Sequence, residues 1–190
     1  MVLYGQSAGA GAVLSYQYAN PEKPIVGGII AASSGTAATN PTESPSFHDL
    51  AQRFPACANL TSPEELKCMQ SIDALELQKA VISSGLGFRP IADGVTSFAN
   101  MTERLEKGLV AKVPLIAGFT YNEPAAFAPF NISDTVAPES SQNIGNRLAC
   151  GSVQEADKRL KYGLTTYNYL YSGNFTNITP RYWLGGMHSC

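Results

Sequence analysis

Histidine is nearly absent from this sequence: 190 residues hold two, His48 and His188, beside four cysteines and one tryptophan. Two distant histidines and scattered cysteines lack ligand spacing, so no metal is expected, and nothing in the chain calls for a cofactor. Charge is scarce as well. Charged residues make up 15% of the chain, the net charge is -2 and no block of one sign exceeds a few residues. That excludes the basic stripe of a nucleic-acid surface. Long apolar runs are missing: Ile25 to Ala32 is far short of the roughly 20 residues needed to cross a bilayer. No leader is expected in the given sequence, because Met1 enters an apolar segment without a charged region or an extended hydrophobic one before it. Internal repeats and low-complexity tracts are also lacking.

What is present suits a globular chain with a sizeable core, 44% of it hydrophobic. Its polar signals point outside the cell. Asn59-Leu-Thr, Asn100-Met-Thr, Asn131-Ile-Ser, Asn174-Phe-Thr and Asn177-Ile-Thr all satisfy the glycosylation acceptor pattern, whereas Asn40-Pro-Thr does not. Chance would supply about one or two in such a length. Cys57 and Cys68 flank a short segment that would close as a small disulfide loop. Cys150 and Cys190 are left over, either as a second pair or with Cys190 unpartnered. Secretory traits without a leader lead to the expectation that residues are missing before Met1.

Strand and helix signals alternate. Met1 to Tyr4 ends a strand, and the small and apolar residues from Ala8 to Tyr18 read as a buried helix. "PIVGGIIAASSG" and "VPLIAGFTYNE" read as buried strands of a parallel sheet, and "TTYNYLYSG" as a further strand. Helices are predicted from about Phe47 to Phe54, Ser62 to Ser71 with Ser62 as cap, Ala74 to Ser83 with Leu75, Leu77, Val81 and Ile82 as its apolar side, Asn100 to Val110, and Ile144 to Leu160. Strands separated by helices indicate an α/β fold, in which functional groups gather at the carboxyl ends of strands.

One such end is "VLYGQSAGAG". Gly-x-Ser-x-Gly arises by accident in roughly one chain in fifteen of this length, but here a strand precedes it and a helix follows, the context of a nucleophile elbow. On this reading Gly5 and Gly9 leave room for a sharp turn at Ser7, and a side chain at either would collide with the neighbouring strand or helix. The same glycines do not make a dinucleotide fingerprint, because the third small position is Leu14.

A serine hydroxyl needs a base, usually histidine, oriented by a carboxylate. The hydrolase order built on an elbow is Ser, then acid, then His. Ser7, Glu123 and His188 obey it, each just past a predicted strand. His48 comes too early and reads as a surface residue. Asp93, in "FRPIADG", is the runner-up acid, although its Asp-Gly pair is adequately explained as a turn.

"GQSAGAGAV", "FRPIADG", "VPLIAGFTYNE" and "GGMHS", in this order, resemble the type B carboxylesterases, the group that includes cholinesterases and fungal carboxylesterases and lipases. "GNFTNITPRYWLGGMHS" is most similar to the secreted fungal members. The resemblance spans nearly the whole chain. It implies a partial α/β-hydrolase fold lacking its amino-terminal strands, a single carboxylesterase type B domain incomplete at both ends, and an extracellular glycoprotein. It further implies Ser7 as nucleophile, Glu123 as triad acid, His188 as general base, the Ala8 N–H in the oxyanion hole and a Cys57–Cys68 disulfide. Small-molecule or lipid esters would be the substrates. The chain departs from the family at Gln6, where Glu is usual, and at Pro124, where Gly is common. Its Glu123 to His188 interval is short, and a Gly-Gly oxyanion loop is absent. The alternative to an esterase is an inactive fragment or an adhesion or binding module on the same fold.

Overall fold

The computed structural model describes residues 1–34, 42–121, 123 and 139–173. They form two compact units, one built from residues 1–34 and 100–173, the other from residues 42–99.

The first unit is built on a four-stranded sheet in the order β1-β2-β3-β4, with every neighbouring pair parallel. Its strands are β1 (Val2–Gln6), β2 (Gly28–Ala32), β3 (Leu115–Thr120) and β4 (Thr166–Tyr171). Parallel strands need long crossovers, usually helical. Helix α1 (Ala8–Ala19) joins β1 to β2, and α6 (Glu139–Lys161) joins β3 to β4. Helix α5 (Met101–Glu106) belongs to this unit too; Asn100 caps it by accepting the Glu103 N–H at 3.0 Å.

The pleat sorts the side chains. Ile29, Ala31, Leu115 and Ala117 face Ala10, Val13 and Leu14 of α1 and form the core. The other face carries Tyr4, Ile116, Tyr167 and Tyr171, all exposed. Beneath the sheet lies a buried polar network that periodicity does not reveal. Arg159, 0% exposed, donates to Gln17 Oε1, to the Val113 carbonyl at 2.7 Å and to Thr166 Oγ1 at 3.0 Å. Gln17 and Tyr18 each donate to Glu155 Oε1 at 3.3 Å. Burial lowers the Arg159 pKa, with Glu155 acting in the opposite direction, and burial likewise raises that of the Tyr18 phenol.

The second unit holds α2 (Ser46–Ala51), α3 (Ser62–Met69) and α4 (Ala74–Ser84). Its core is Leu50, Ala51, Phe54, Cys57 and Met69. Cys57 and Cys68 are disulfide-bonded with Cα atoms 5.5 Å apart. The α3 cap is Thr61, one residue before the predicted Ser62: the Thr61 N–H and hydroxyl both donate to Glu64. Moving the cap back puts Glu64 at the third helical position, where its carboxylate reaches the Thr61 N–H. Helix α4 buries less than its pattern suggests. Leu77 and Val81 pack on the core, while Leu75 and Ile82 remain 66% and 74% exposed.

Candidate active site

Strand β1 ends by driving the chain through Ser7 at φ 56, ψ -120. An L-residue with positive φ is strained by about 1–3 kcal/mol, and such strain persists only where surroundings enforce it. Two hydrogen bonds do so. The Ser7 N–H donates to the Ala32 carbonyl of β2 at 2.9 Å, and its carbonyl accepts the Gly11 N–H at 3.1 Å as α1 begins. The Ser7 side chain makes no capping bond, and the residue is exposed. Glycine is required at position 5, since a Cβ there would overlap the Gly9 carbonyl and lie 2.8 Å from the Ala10 nitrogen. The matching expectation for Gly9 is wrong. Among the described residues nothing lies within 4 Å of where its Cβ would be. The crossing is one-sided, because it is the backbone of Gly9 that packs against Gly5.

Glu123 stands beyond the end of β3 and is half-buried. Its Oε1 accepts the Ser33 hydroxyl at 2.5 Å and the Thr120 N–H at 2.7 Å. Ser33 follows β2 directly and also has positive φ, at 57. Its N–H donates to the Gly118 carbonyl of β3 at 2.8 Å. The dipeptide Ala32-Ser33 therefore holds the turn carrying Ser7 on one side and the carboxylate of Glu123 on the other. Sequence reading left Ser33 without a role. The available signal was a pair of serines at the carboxyl end of a buried parallel strand, where ligand-facing groups gather.

Asp93 is occupied elsewhere. Its Oδ1 accepts the N–H groups of Val95, Thr96 and Ser97, and its Oδ2 accepts the Thr96 hydroxyl at 2.7 Å. The Thr96 hydroxyl and these amides hold its carboxyl well below the usual range. His48 has its side chain 59% exposed, with Nδ1 2.7 Å from Glu65 Oε1, whose side chain is 4% exposed. It ties α2 to α3. His188, Cys190, Asn131, Asn174 and Asn177 lie outside the described residues. Ala8 is the first residue of α1, and its exposed position beside Ser7 leaves its N–H in the orphan first turn of the helix. Asn59 and Asn100 are both exposed. Among the described residues no group of three or more His, Cys, Asp or Glu could hold a metal ion, and no helix is long and apolar enough to cross a membrane.

A sequence profile described as the carboxylesterase family matches residues 1–177. The chain belongs to the carboxylesterase family. It is 40% identical over 197 residues to a chlorogenic acid esterase of Aspergillus niger, covering 100% of this chain and 38% of that protein. It is 33% identical over 213 residues to secreted lipase 5 of Gibberella zeae, covering 100% and 40%. This carboxylesterase-family chain thus spans about two fifths of the length of these relatives. Among solved structures, a carboxylesterase of Geobacillus stearothermophilus superposes with a TM-score of 0.66 at 19% identity, over 92% of this chain and 44% of that one. At that identity the likeness speaks for the fold, part of an α/β-hydrolase.

Proposed function

We propose that this chain carries the reaction centre of a secreted esterase of the fungal carboxylesterase type, with Ser7 as nucleophile, Glu123 as triad acid and His188 as general base. The observation that supports it most is the shared anchor: the strained Ser7 and the carboxylate of Glu123 are held by adjacent residues, Ala32 and Ser33. His188 takes the proton of the Ser7 hydroxyl as its oxygen attacks an ester carbonyl. The Ala8 N–H donates to the oxyanion, an interaction worth about 3 kcal/mol for one good donor. The alcohol leaves with the proton from His188, and water, deprotonated by the same imidazole, releases the acid and restores Ser7. With Oε1 of Glu123 held by Ser33 and Thr120, Oε2 is the oxygen that receives the imidazole N–H.

The relatives' names, a chlorogenic acid esterase and a secreted lipase, favour phenolic or lipid esters as substrates and an extracellular location. Asn59, Asn100, Asn131, Asn174 and Asn177 are the proposed glycan acceptors. A serine-directed fluorophosphonate tests the reading on the purified, folded chain. Labelling lost in Ser7→Ala supports it; an unlabelled folded chain overturns it in favour of a catalytically silent binding module.

A further inference from the structure

Strand β4 points three tyrosines to the sheet face away from α1 and α6, at positions 167, 169 and 171. The outer two are exposed, while Tyr169 is half-buried. The difference originates across the ladder. Tyr169 pairs with Gly118 in β3, and a Cβ at Gly118 would fall against the Cγ, Cδ1 and Cε1 atoms of the Tyr169 ring. The ring therefore lies directly on the β3 backbone, in space that any other residue at 118 would fill. Glycine inside a strand weakens it and commonly marks such a close approach.

The peptide under the ring is the one on which the acid depends. The Gly118 carbonyl holds the Ser33 N–H at 2.8 Å, and the Ser33 hydroxyl holds Glu123. Two residues along β3, the Thr120 N–H holds the same carboxylate oxygen. A tyrosine ring with its hydroxyl is longer than the roughly 4.8 Å between strands. Lying over Gly118, the ring of this β4 residue therefore reaches across β3. Consistent with this placement, the phenol is pushed up by burial first, then by Tyr4 and by the Glu123 carboxylate.

We propose that Tyr169 is a positioning residue for Glu123: its ring clamps the Gly118 backbone and so keeps the Ser33 and Thr120 donors in register with the carboxylate. The role rests on the reading of Glu123 as the triad acid, but the clamp itself is measurable without turnover. In NMR spectra of the folded chain, the Gly118 α-protons are shifted upfield by the ring and show contacts to Tyr169 ring protons; unshifted α-protons overturn the proposal. Amide exchange then separates a local clamp from general packing. Tyr169→Ala accelerates exchange at Ser33 and Thr120 by about tenfold while the Ile29 and Leu115 amides keep their protection, and Tyr169→Phe, which retains the ring, restores wild-type rates. Unchanged rates in Tyr169→Ala overturn the proposal, as does equal acceleration across the sheet. Should Tyr169→Ala fail to fold, Tyr169→Leu and the wild-type spectrum decide in the same way. Ser7 labelling by the fluorophosphonate is recorded on the same samples. If the wild type is unlabelled, the esterase reading fails while the exchange data still decide the clamp.

Discussion

Ser33 donates its hydroxyl to Glu123 across 2.5 Å, and the residue before it accepts the N–H of Ser7. One dipeptide at the end of β2 thereby couples the turn at Ser7 after β1 to the carboxylate of Glu123 beyond β3. Hydrogen bonds to a charged partner contribute about 1.5–3 kcal/mol, so the coupling is strong enough to govern how Glu123 is aimed.

Replacing Ser33 by Ala tests that coupling. The variant retains its fold, since the Ser33 N–H bond to Gly118 is a backbone contact. Its rate of Ser7 modification by a fluorophosphonate falls about tenfold relative to wild type, measured by stopped-time labelling and mass spectrometry. A variant labelled at the wild-type rate would remove Ser33 from the site.

The two elbow glycines separate by stability. Gly5→Ala forces a Cβ into the Gly9 carbonyl and costs upward of about 3 kcal/mol, enough to abolish soluble expression in a marginal protein. Gly9→Ala meets nothing within 4 Å among the described residues, in the first turn of a helix, and stabilises by about 0.5–1 kcal/mol. Urea midpoints of the two variants are expected to move in opposite directions.

Loss of Arg159 is expected to be costly to the first unit, because it is buried and donates to three partners. Arg159→Ala leaves the buried Gln17 amide oxygen and the Val113 carbonyl without their donor and costs about 3–5 kcal/mol by urea unfolding. Arg159→Met, which fills the volume but leaves the same acceptors unpaired, lies between Ala and wild type.

Acid weakens the loop from Asp93 to Ser97. The folded Asp93 carboxyl titrates below its ordinary value of 3.8, so the charged form is the one that folding favours. Its contribution is complete above about pH 4–5 and is lost as the pH falls through that value and below. Asp93→Asn is expected to lower the unfolding midpoint near neutrality, where the carboxylate contributes in full, and to flatten its acid limb between about pH 5 and pH 2, where the wild type loses the same contribution. A variant that follows the wild-type acid limb would show that the carboxylate is not responsible.

Reduction probes the second unit. The Cys57–Cys68 bridge closes a short loop, 11 residues in separation, and a loop of that size is worth about 3 kcal/mol in the chain-entropy account. Cys57→Ser with Cys68→Ser is expected to lower protection from amide exchange in α2, α3 and α4 and to leave β2 and β3 protected, since the two units have separate cores.

Local sequence determined the elements and the elbow. Apolar runs without polar alternation marked β2 and β3 because both faces of a parallel strand are covered, and the small residues around Ser7 specified a strand-turn-helix that larger side chains would block at Gly5. The α3 start was misplaced by one residue because Thr61 and Ser62 are both good caps, and only the position of Glu64 in the folded turn chooses between them. Tertiary structure alone decided the rest. Ser33, Gly118 and Tyr169 acquire meaning from strand register, which brings residues about 50 to 90 positions apart in the chain side by side and leaves no periodic trace. The Arg159 network is hidden for the same reason: an arginine in an amphipathic helix reads as solvated until the fold encloses it with Gln17 and the Val113 carbonyl, when water is replaced by fixed partners. Gly9 shows the reverse case, a residue that looked indispensable in the motif and whose Cβ would meet nothing within 4 Å among the described residues.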